Sequence, residues 1–283
     1  MPDNTLATIL ILISACMHAV WNAILKRTDD KFAAMMCLSG FGGILYLPFL
    51  WLAPFPPADL WPWLAASFAI HFVYQLALTK ALEMGALTFI YPIARGLGPT
   101  LVALFSYFFL AGEMSLAEVA AVLILAVGIF LSTSTKGATG GTARENGILF
   151  ALLTGAMIAA YTVIDGLAVR RAPTELTYIL WSGIGFSPIF ISYGLYRRGT
   201  KIFRDAVAVW RPGMLAALIA HSGYGIALYA YSIGSLGEVA AIRETSILFA
   251  LAIGVFWLKE TVSRRRLLAV PLIAAGAIML KLI

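Results

Sequence analysis

The chain has 283 residues, of which 61% are hydrophobic and 12% charged, and its formal net charge is +6. A soluble domain is about half apolar and about a quarter charged, so this composition excludes an ordinary soluble protein. The basic residues lie in short loops between apolar runs, which argues against a nucleic-acid surface. Cys16 and Cys37 lie inside apolar runs without the spacing of a metal site, so no metal or cofactor is predicted.

The first half of the chain contains apolar runs of about the 20 residues that cross a bilayer as a helix. Residues typical of turns, such as Thr28 to Asp30 and Pro54 to Pro57, separate these runs. No basic segment or small-residue cleavage site marks the first run as a signal peptide, so it is predicted to be a retained helix. The five runs of this half extend over 5–26, 31–52, 61–82, 86–110 and 115–133.

A segment rich in Gly, Ser and Thr lies near the midpoint and predicts a linker over 136–146. It separates a first unit, 1–135, from a second unit, 147–283. The predicted fold class is therefore an all-α membrane protein with ten transmembrane helices in two groups of five. The runs of the second unit extend over 147–169, 174–196, 211–232, 238–258 and 263–282.

The two units repeat each other in sequence. HAVWNAILKR at 18–27 aligns with YTVIDGLAVR at 161–170, and the segment from His71 to Glu113 aligns with that from His221 to Glu260. Because each unit has an odd number of spans, the second unit enters the membrane from the opposite side, so the repeat is predicted to be inverted. Inverted repeats are typical of secondary transporters, whose solute site lies near the bilayer midplane between the repeats.

A family resemblance rests on three features. These are the ten-helix layout, the segments YPIARGLGPTLVALFSYFFLAGE at 91–113 and IRETSILFALAIGVFWLKE at 242–260, and the glycine-rich last helix of each unit. Together they resemble the drug/metabolite transporter superfamily, EamA type, over essentially the whole chain. The resemblance implies a secondary carrier whose cavity is lined mainly by spans 1, 3, 4, 6, 8 and 9. It does not name the solute, because relatives carry amino acids, other metabolites, drugs or sugar phosphates.

Arg95 and Arg243 occupy equivalent positions inside the fourth and ninth runs. A guanidinium within a membrane span must find a partner or water and is by default a functional candidate. Its fork of donors matches carboxylate and phosphate oxygens. Both arginines are therefore predicted to bind an anionic group of the solute. The alternative is a structural clamp, with Glu244 or Glu83 as partner.

Two polar and aromatic stripes are predicted to line the same cavity. His71, Tyr74 and Gln75 share one face of the third span, and His221 and Tyr224 follow the same course in the eighth. The alternative is a structural role, in which the histidines only join helices by hydrogen bonds. The remaining side chains predicted to bind the solute are Trp21, Asn22, Tyr91 and Tyr161.

Asp165 is an acid well inside the sixth span and is the leading candidate for proton coupling or for pairing with a cationic group. Glu244 and His18 are further candidates for coupling. An internal ion pair between Asp165 and one of the two arginines is an equally open alternative. Glu113 and Glu260, at the ends of the fourth and ninth runs, are predicted to be structural and to bind a helix N-terminus or basic residues.

The loops on one face of the predicted bundle carry 15 of the 20 Lys and Arg residues, and the opposite loops carry three. Basic residues favour the cytoplasmic side, so the rich face is predicted to be cytoplasmic and both termini outside. Ten-helix relatives are usually pictured with both termini inside, so the charge bias and the resemblance disagree. The predicted location is a bacterial inner membrane, where the protein is multi-pass.

The leading functional prediction is a secondary transporter that moves an amino acid or another carboxylate- or phosphate-bearing solute by alternating access, as a monomer or homodimer among membrane lipids. Only the resemblance indicates export. No GxxxxGK[ST], HExxH or GxSxG motif occurs, so no enzyme and no catalytic residue is predicted. One alternative is a proton-coupled exporter of cationic drugs or metabolites centred on Asp165 and Glu244. Another is a membrane scaffold or lipid-modifying enzyme without transport.

Overall fold

The structure, a computed structural model, describes residues 2–84, 87–132, 142–257, 259 and 263–283. All regular secondary structure among these residues is helical, as the sequence predicts. The helices are α1 Pro2–Lys26, α2 Lys31–Tyr46, a 3-10 helix Leu47–Leu52, α3 Trp61–Met84, α4 Leu87–Phe109, α5 Leu116–Leu131, α6 Thr142–Val169, α7 Glu175–Arg198, α8 Lys201–Ala208, α9 Trp210–Ile233, α10 Leu236–Arg243, α11 Ser246–Phe256 and α12 Arg264–Leu282.

All ten predicted runs coincide with helices, and six described segments are long and apolar enough to cross a membrane. α3 and α4, with 24 and 23 residues, have the length of a crossing at about 1.5 Å per residue. They carry His71, Gln75 and Arg95 near their middle. The six segments are Thr5–Leu25, Phe32–Leu52, Gly147–Val169, Glu175–Arg198, Trp210–Ile233 and Leu236–Phe256.

Many large apolar side chains lie on the outside of the bundle. Trp51 is 82% exposed, Phe109 73% and Phe256 77%. In water, burying such a side chain would stabilise the fold by about 1.5–3 kcal/mol, whereas hydrocarbon offers it an apolar surrounding without burial. The outer surface therefore agrees with the apolar helices in indicating a multi-pass membrane protein.

The interior is built on close approaches at small residues. α1 packs along α9, α3 and α4 pack against α6, α2 against α7, and α5 against α12. A Cβ added to Gly155 of α6 would lie 2.9 Å from the carbonyl oxygen of Ala94, and one added to Gly276 of α12 would lie 2.7 Å from the Cβ of Leu125. Such packing of small residues is a principal source of helix association in lipid. It brings α4 and α6 close enough to share one polar centre.

The ninth predicted span, 238–258, is not one continuous helix. α10 ends at Arg243 and α11 begins at Ser246. Between them the backbone bonds join residue i to residue i−3, as in Thr245 N to Ile242 O at 3.0 Å and Ile247 N to Glu244 O at 3.0 Å. The chain therefore tightens into a 3-10 step at the middle of the span. Neither Pro nor Gly marks this step in the sequence.

Two helices were not predicted, and one begins earlier than expected. α8 lies between the seventh and eighth spans, and the 3-10 helix Leu47–Leu52 ends the second. α6 begins at Thr142, inside the segment predicted as a linker. Residues 136–141 of that segment lie outside the described residues, as does Glu260.

An ion-pair cluster joins the two units at one end of the bundle. Arg198, at the end of α7, binds both carboxylate oxygens of Asp30, with 3.2 Å between Nη2 and Oδ1. The same guanidinium lies 3.1 Å from Asp205 of α8. Asp30 also caps α2 by accepting a hydrogen bond from Ala33 N at 3.0 Å. This cluster ties the beginning of α2 to the end of α7.

A second cluster joins the two units at the opposite end. Arg170, just after α6, binds Glu113 and donates to the carbonyl oxygens of Tyr231 at 2.8 Å and Gly234 at 2.6 Å. Glu113 also accepts from the backbone N of Leu236, at the start of α10, at 2.7 Å. These contacts are those of a structural carboxylate at a helix N-terminus and a basic residue, the role predicted for Glu113.

Candidate functional site

Arg95, in the middle of α4, is bound on both sides of the 3-10 step. Its Nε lies 2.7 Å from Oε2 of Glu244, and both side chains are only 4% exposed. One terminal nitrogen donates to Ser246 Oγ, and the other lies 3.4 Å from Nε2 of His18 in α1. Holding Glu244 and Ser246 on one guanidinium requires the tightened backbone between them. The clamp that was the alternative for Arg95 is thus present, with Glu244 as partner.

Arg243, the equivalent residue in the second unit, is placed differently. It is 7% exposed, its Cζ lies 5.5 Å from the ring centre of Tyr224, and its Nε makes no hydrogen bond within the described part of the chain. Tyr161 and Tyr231 are its other close polar neighbours. Glu244 interacts with both arginines, more strongly with Arg95. Arg243 is therefore the guanidinium with the weaker anionic partner.

Asp165 of α6 is 1% exposed and is held by two tyrosines. The hydroxyl of Tyr178 donates to Oδ1 at 2.7 Å, and that of Tyr224 donates to Oδ2. Nε2 of His71 lies 3.8 Å from Oδ2. Within the described ranges, no Lys or Arg forms an ion pair with Asp165. The internal pair with an arginine is therefore not formed within these ranges, and Arg95 is paired with Glu244 instead.

His71 of α3 presents one ring nitrogen to this acid. Its Nδ1 lies 3.0 Å from the carbonyl oxygen of Ser67. Because a carbonyl oxygen can only accept, Nδ1 carries the proton and Nε2 is left facing Asp165 and, at 3.4 Å, the hydroxyl of Tyr224. The ring stacks on Tyr161, with 4.2 Å between centres. Asp165 thus has a neighbour that can take up a proton.

His221 does not join this group, although it aligns with His71. Its ring fits over Gly42 of α2, where an added Cβ would overlap the imidazole. Its Nδ1 lies 3.0 Å from the carbonyl oxygen of Ala217, and its own carbonyl accepts from the hydroxyl of Tyr46 at 2.7 Å. The hydrogen bond of the His221 ring thus stays within α9, and the backbone carbonyl of His221 makes the hydrogen bond to α2.

Three other side chains predicted to bind the solute contact neighbours in α1 and α2. Nε2 of Gln75 lies 3.8 Å from Sδ of Met35 in α2. Trp21 packs into an apolar cluster of α1, α2 and α9, with its ring 5.1 Å from that of His18. Asn22 donates to the carbonyl oxygen of His18 at 2.7 Å. The side chain of Tyr91 lies outside the described residues.

Tyr178 and Ser246 belong to the polar centre, although the sequence did not indicate either of them. Tyr178 lies in α7, a span that the resemblance does not place at the cavity, yet it is completely buried. A tyrosine hydroxyl inside an apolar span needs a polar partner, and this would have been the signal to pair it with an acid. Ser246 gave no such signal, because its contact with Arg95 depends on the 3-10 step.

A small cavity lies among these groups. A cavity of about 10 Å³ lies between Arg95, Arg243, Glu244, Thr162 and Tyr231, which is room for roughly one water. Among the described residues, no group of three or more His, Cys, Asp or Glu side chains could hold a metal ion. This cavity is too small to hold a metabolite.

An apolar helical bundle that buries two arginines and two acids defines a polytopic membrane protein with an internal polar site. Residues 145–282 match the EamA-like transporter family. This family is part of the drug/metabolite transporter superfamily, so the match confirms, over the second unit, the resemblance found in the sequence. The second unit is therefore similar to membrane transporters of this type.

No curated protein sequence matches the chain. A solved structure described as "Crystal structure of protein" superposes with a TM-score of 0.75 and covers 100% of this chain and 99% of its own, at 18% identity. At this identity the likeness concerns the fold alone. It extends to the first unit, which the family match does not reach.

Proposed function

We propose that the chain is a secondary transporter that exports an amino acid or a related carboxylate-bearing metabolite across a bacterial inner membrane. The observation that carries the proposal is the placement of Arg243 and Asp165 on either side of Tyr224. The ring of Tyr224 lies against the guanidinium and its hydroxyl donates to the carboxylate. A zwitterion offers a carboxylate to Arg243 and an ammonium group to Asp165, so its two charges match the two ends of this arrangement.

The two arginines would act at different moments. Arg243 has the weaker anionic partner and would make the first contact with the carboxylate of the solute. Arg95 is held by Glu244 at 2.7 Å and becomes available only when Glu244 takes up a proton or moves. Glu244 would therefore take part in coupling. His18 lies 3.4 Å from Arg95, so its environment would change when Glu244 releases Arg95.

Proton coupling would centre on Asp165 and His71. Protonation of His71 at Nε2 creates an imidazolium 3.8 Å from Asp165, which can replace Tyr224 as the partner of the carboxylate. Tyr224 is then free to turn its hydroxyl toward the solute. Proton uptake and solute contact are in this way linked through a single tyrosine.

Alternating access is supported by the pattern of helix contacts. If each unit is one copy of an inverted repeat, α1 is equivalent to α6, α3 to α9 and α4 to α11. The contact of α1 with α9 then corresponds to that of α6 with α3. The contact of α4 with α6 corresponds to that of α11 with α1. α2 with α7 and α5 with α12 are pairs of equivalents, and all these contacts are present. The 3-10 step beside the arginines is the type of helix discontinuity found at transporter solute sites.

A panel of solutes tests the proposal by thermal unfolding of the purified protein in detergent. A ligand stabilises the folded state by RT ln(1 + [L]/Kd), about 2.7 kcal/mol at a hundred times Kd. We expect amino acids to stabilise the wild type. Arg243→Gln should no longer be stabilised by amino acids or organic acids. Asp165→Asn should no longer be stabilised by amino acids but should still be stabilised by organic acids. Arg264→Gln, an exposed arginine at the start of α12, is the charge control. Stabilisation by no solute, together with no flux in proteoliposomes, would favour a scaffold or a lipid-modifying enzyme.

A proton-coupled exporter of cationic compounds is the second candidate. It is favoured by Asp165, a buried carboxylate that is held by the hydroxyls of Tyr178 and Tyr224 and lies near His71. In this case organic cations, not amino acids, would stabilise the protein, Arg243→Gln would leave the effect intact, and Asp165→Asn would abolish it. Flux driven by an imposed pH gradient in proteoliposomes separates the two coupling schemes from a passive carrier.

We further propose that the face with 15 basic residues is cytoplasmic and that both termini are outside. The contacts place the ends of α2, α4, α6, α9 and α12 at the face opposite to Arg198 and α8. Single cysteines introduced at Arg204 and Arg171, in a background without Cys16 and Cys37, test this orientation in intact cells. Labelling of the Arg204→Cys variant by a membrane-impermeant thiol reagent would reverse the assignment.

A further inference from the structure

An apolar groove lies on the outside of the bundle, apart from the polar centre. Its volume is about 410 Å³, within the roughly 300–1,000 Å³ typical of small-molecule sites. It runs between α2 and α7 from Met36 to Leu47 and is closed at one end by Ile202 and Phe203 of α8.

The polar atoms along the groove are already occupied. Ser187 Oγ accepts from Gly43 N at 2.9 Å and donates to the carbonyl oxygen of Ser39, and the Cys37 thiol donates to Ala206 O at 3.4 Å. Its walls otherwise consist of aliphatic and aromatic side chains, of which Ile44 is 60% exposed. The groove therefore offers nothing to a polar solute and suits a hydrocarbon chain.

The length of the groove corresponds to one leaflet of the membrane. The 11 residue steps from Met36 to Leu47 span about 16 Å at about 1.5 Å per residue, roughly half of the 30 Å hydrocarbon core. α8 begins at the end of α7 and turns Ile202 into the groove, while Lys201 and Arg204 are exposed. Such a short amphipathic helix with basic residues is typical of the membrane interface.

The charges at this end of the groove favour an anionic headgroup. Arg197, Lys201, Arg204 and Arg211 are exposed. The acids in the neighbourhood, Asp30 and Asp205, are bound to Arg198. Two of these exposed charges, Lys201 and Arg204, flank the α8 residues Ile202 and Phe203 that close the groove, and the other two lie at the adjoining ends of α7 and α9.

We propose that this groove is a binding site for an anionic phospholipid, with one acyl chain between α2 and α7 and the phosphate at Lys201 and Arg204. α2 belongs to the first unit and α7 to the second, so the acyl chain of the lipid would lie between the two units. The site is independent of the solute and of the transport function proposed above. It predicts that an anionic lipid stabilises the contact of the two units.

Thermal unfolding with dioleoyl phosphatidylglycerol or dioleoyl phosphatidylcholine, added to lipid-free protein in detergent, tests the site. We expect phosphatidylglycerol to raise the Tm more than phosphatidylcholine. Lys201→Gln and Arg204→Gln should each weaken phosphatidylglycerol binding about fivefold, because each removes one basic residue near the anionic surface. Arg264→Gln with Arg265→Gln, two exposed basic residues of α12, should leave the difference unchanged.

Gly40→Leu tests the groove itself. A Cβ on Gly40 lies in ordinary contact, 3.6 Å from Ile191 Cδ1, so the variant should fold, with the rest of the leucine filling the groove. We expect it to keep the Tm of the lipid-free wild type or exceed it, but to lose the rise with phosphatidylglycerol and the lipid retained in native mass spectra. Ala69→Leu, on an exposed face of α3, is the matched control.

Three results would overturn the proposal. These are equal stabilisation of the wild type by the two lipids, an undiminished rise in Gly40→Leu, and a lipid-free wild-type dimer that Gly40→Leu converts to monomers. The last would assign the groove to a second copy of the chain.

Discussion

At the scale of single residues, the polar centre owes its character to two differences between otherwise equivalent segments. Arg95 is followed by Gly96, whereas Arg243 is followed by Glu244, and Asn22 aligns with Asp165. Each unit thus supplies one arginine, but the second unit supplies both acids. The two arginines therefore have different partners despite their equivalent positions, which is why we assign the solute first to Arg243.

The Arg95–Glu244 pair provides the first prediction. Removing one partner of a buried ion pair leaves an uncompensated charge and costs about 3–5 kcal/mol, whereas removing both can be nearly neutral. We expect Arg95→Gln and Glu244→Gln each to lower the Tm strongly, and the double variant Arg95→Gln/Glu244→Gln to recover much of the loss. Thermal unfolding of the four proteins, evaluated as a double-mutant cycle, measures the coupling. If the two losses simply add, the pair is not an interacting unit.

At the scale of elements, the fold depends on glycines at helix contacts more than on helix propensity. Gly155 of α6 faces the backbone of α4, and Gly40 of α2 faces the open groove. Both residues are glycines inside a helix, but Gly155 is tightly packed and Gly40 has open space beside it. They therefore separate the contribution of close packing from that of backbone entropy.

Gly155→Ala and Gly40→Ala make this a matched test. The first places a methyl group 2.9 Å from the carbonyl oxygen of Ala94, so we expect a loss of about 1–3 kcal/mol from overpacking. The second meets only Ile191 at 3.6 Å and should stabilise by roughly 0.4–1 kcal/mol, because alanine loses less backbone entropy. Denaturant or thermal unfolding compares them. Equal effects of the two changes would contradict the packing argument.

Asp30, at the start of α2, should make stability depend on pH. The Arg198 guanidinium beside it lowers the pKa of Asp30 below its ordinary value of about 3.9. A lowered pKa in the folded state means that the stabilisation is complete above the unfolded pKa and is lost as the pH falls through the folded one. Asn can still cap α2, so Asp30→Asn isolates the charge.

We expect the Tm of Asp30→Asn to lie slightly below that of the wild type at pH 7, by the equivalent of about 0.2–1 kcal/mol for a solvent-accessible pair. The gap should narrow below about pH 4 as the wild-type carboxyl is protonated. Asp59→Asn, in the exposed loop before α3, is the control and should show no gap. A difference that persists at pH 3 would assign the effect to packing instead of charge.

Hydrophobic runs were enough to locate the ten long helical segments, because crossing a bilayer sets their length. They could not reveal the step at Glu244 and Thr245, since the segment AIRETSILF contains no Gly or Pro and the cause is a contact with Arg95 from a distant helix. α8 was missed because eight residues are too short for the span criterion, although Ile202 and Phe203 beside Lys201 and Arg204 form an amphipathic pattern. At the candidate site, the search for polar residues inside apolar runs selected Arg95, Arg243 and Asp165, and their role in binding a solute stays a prediction. The sequence alignment carries no information about Gly42, over which the ring of His221 lies.

At the scale of the whole molecule, the two units are held together at both ends of the bundle. Arg198 with Asp30 joins them at the end with α8, and Arg170 with Glu113 joins them at the other. Between these two clusters lies the small cavity beside Arg95 and Arg243. Alternating access in this architecture would require one cluster to open while the other stays intact.

Glu113→Gln tests the cluster around Arg170. The amide loses the charge that binds Arg170 but can still accept a hydrogen bond from Leu236 N, so the variant should fold. We expect this end to open more readily, which would raise the rate at which a small thiol reagent modifies Thr162→Cys at the central cavity, in a background without Cys16 and Cys37. An increase of about fivefold corresponds to about 1 kcal/mol, typical of a partly exposed ion pair. An unchanged rate would mean that Glu113 does not restrain opening.

The buried charges also determine what a membrane potential can act on. Arg95 and Arg243 carry two positive charges, Asp165 and Glu244 two negative ones, and with neutral histidines their sum is zero. On the proposed cycle, the empty protein could therefore reorient without moving net charge through the field, which is worth about 2.3 kcal/mol per charge per 100 mV. Voltage would act only on what the protein carries, so an amino acid zwitterion moving with one proton would produce a current set by that proton alone.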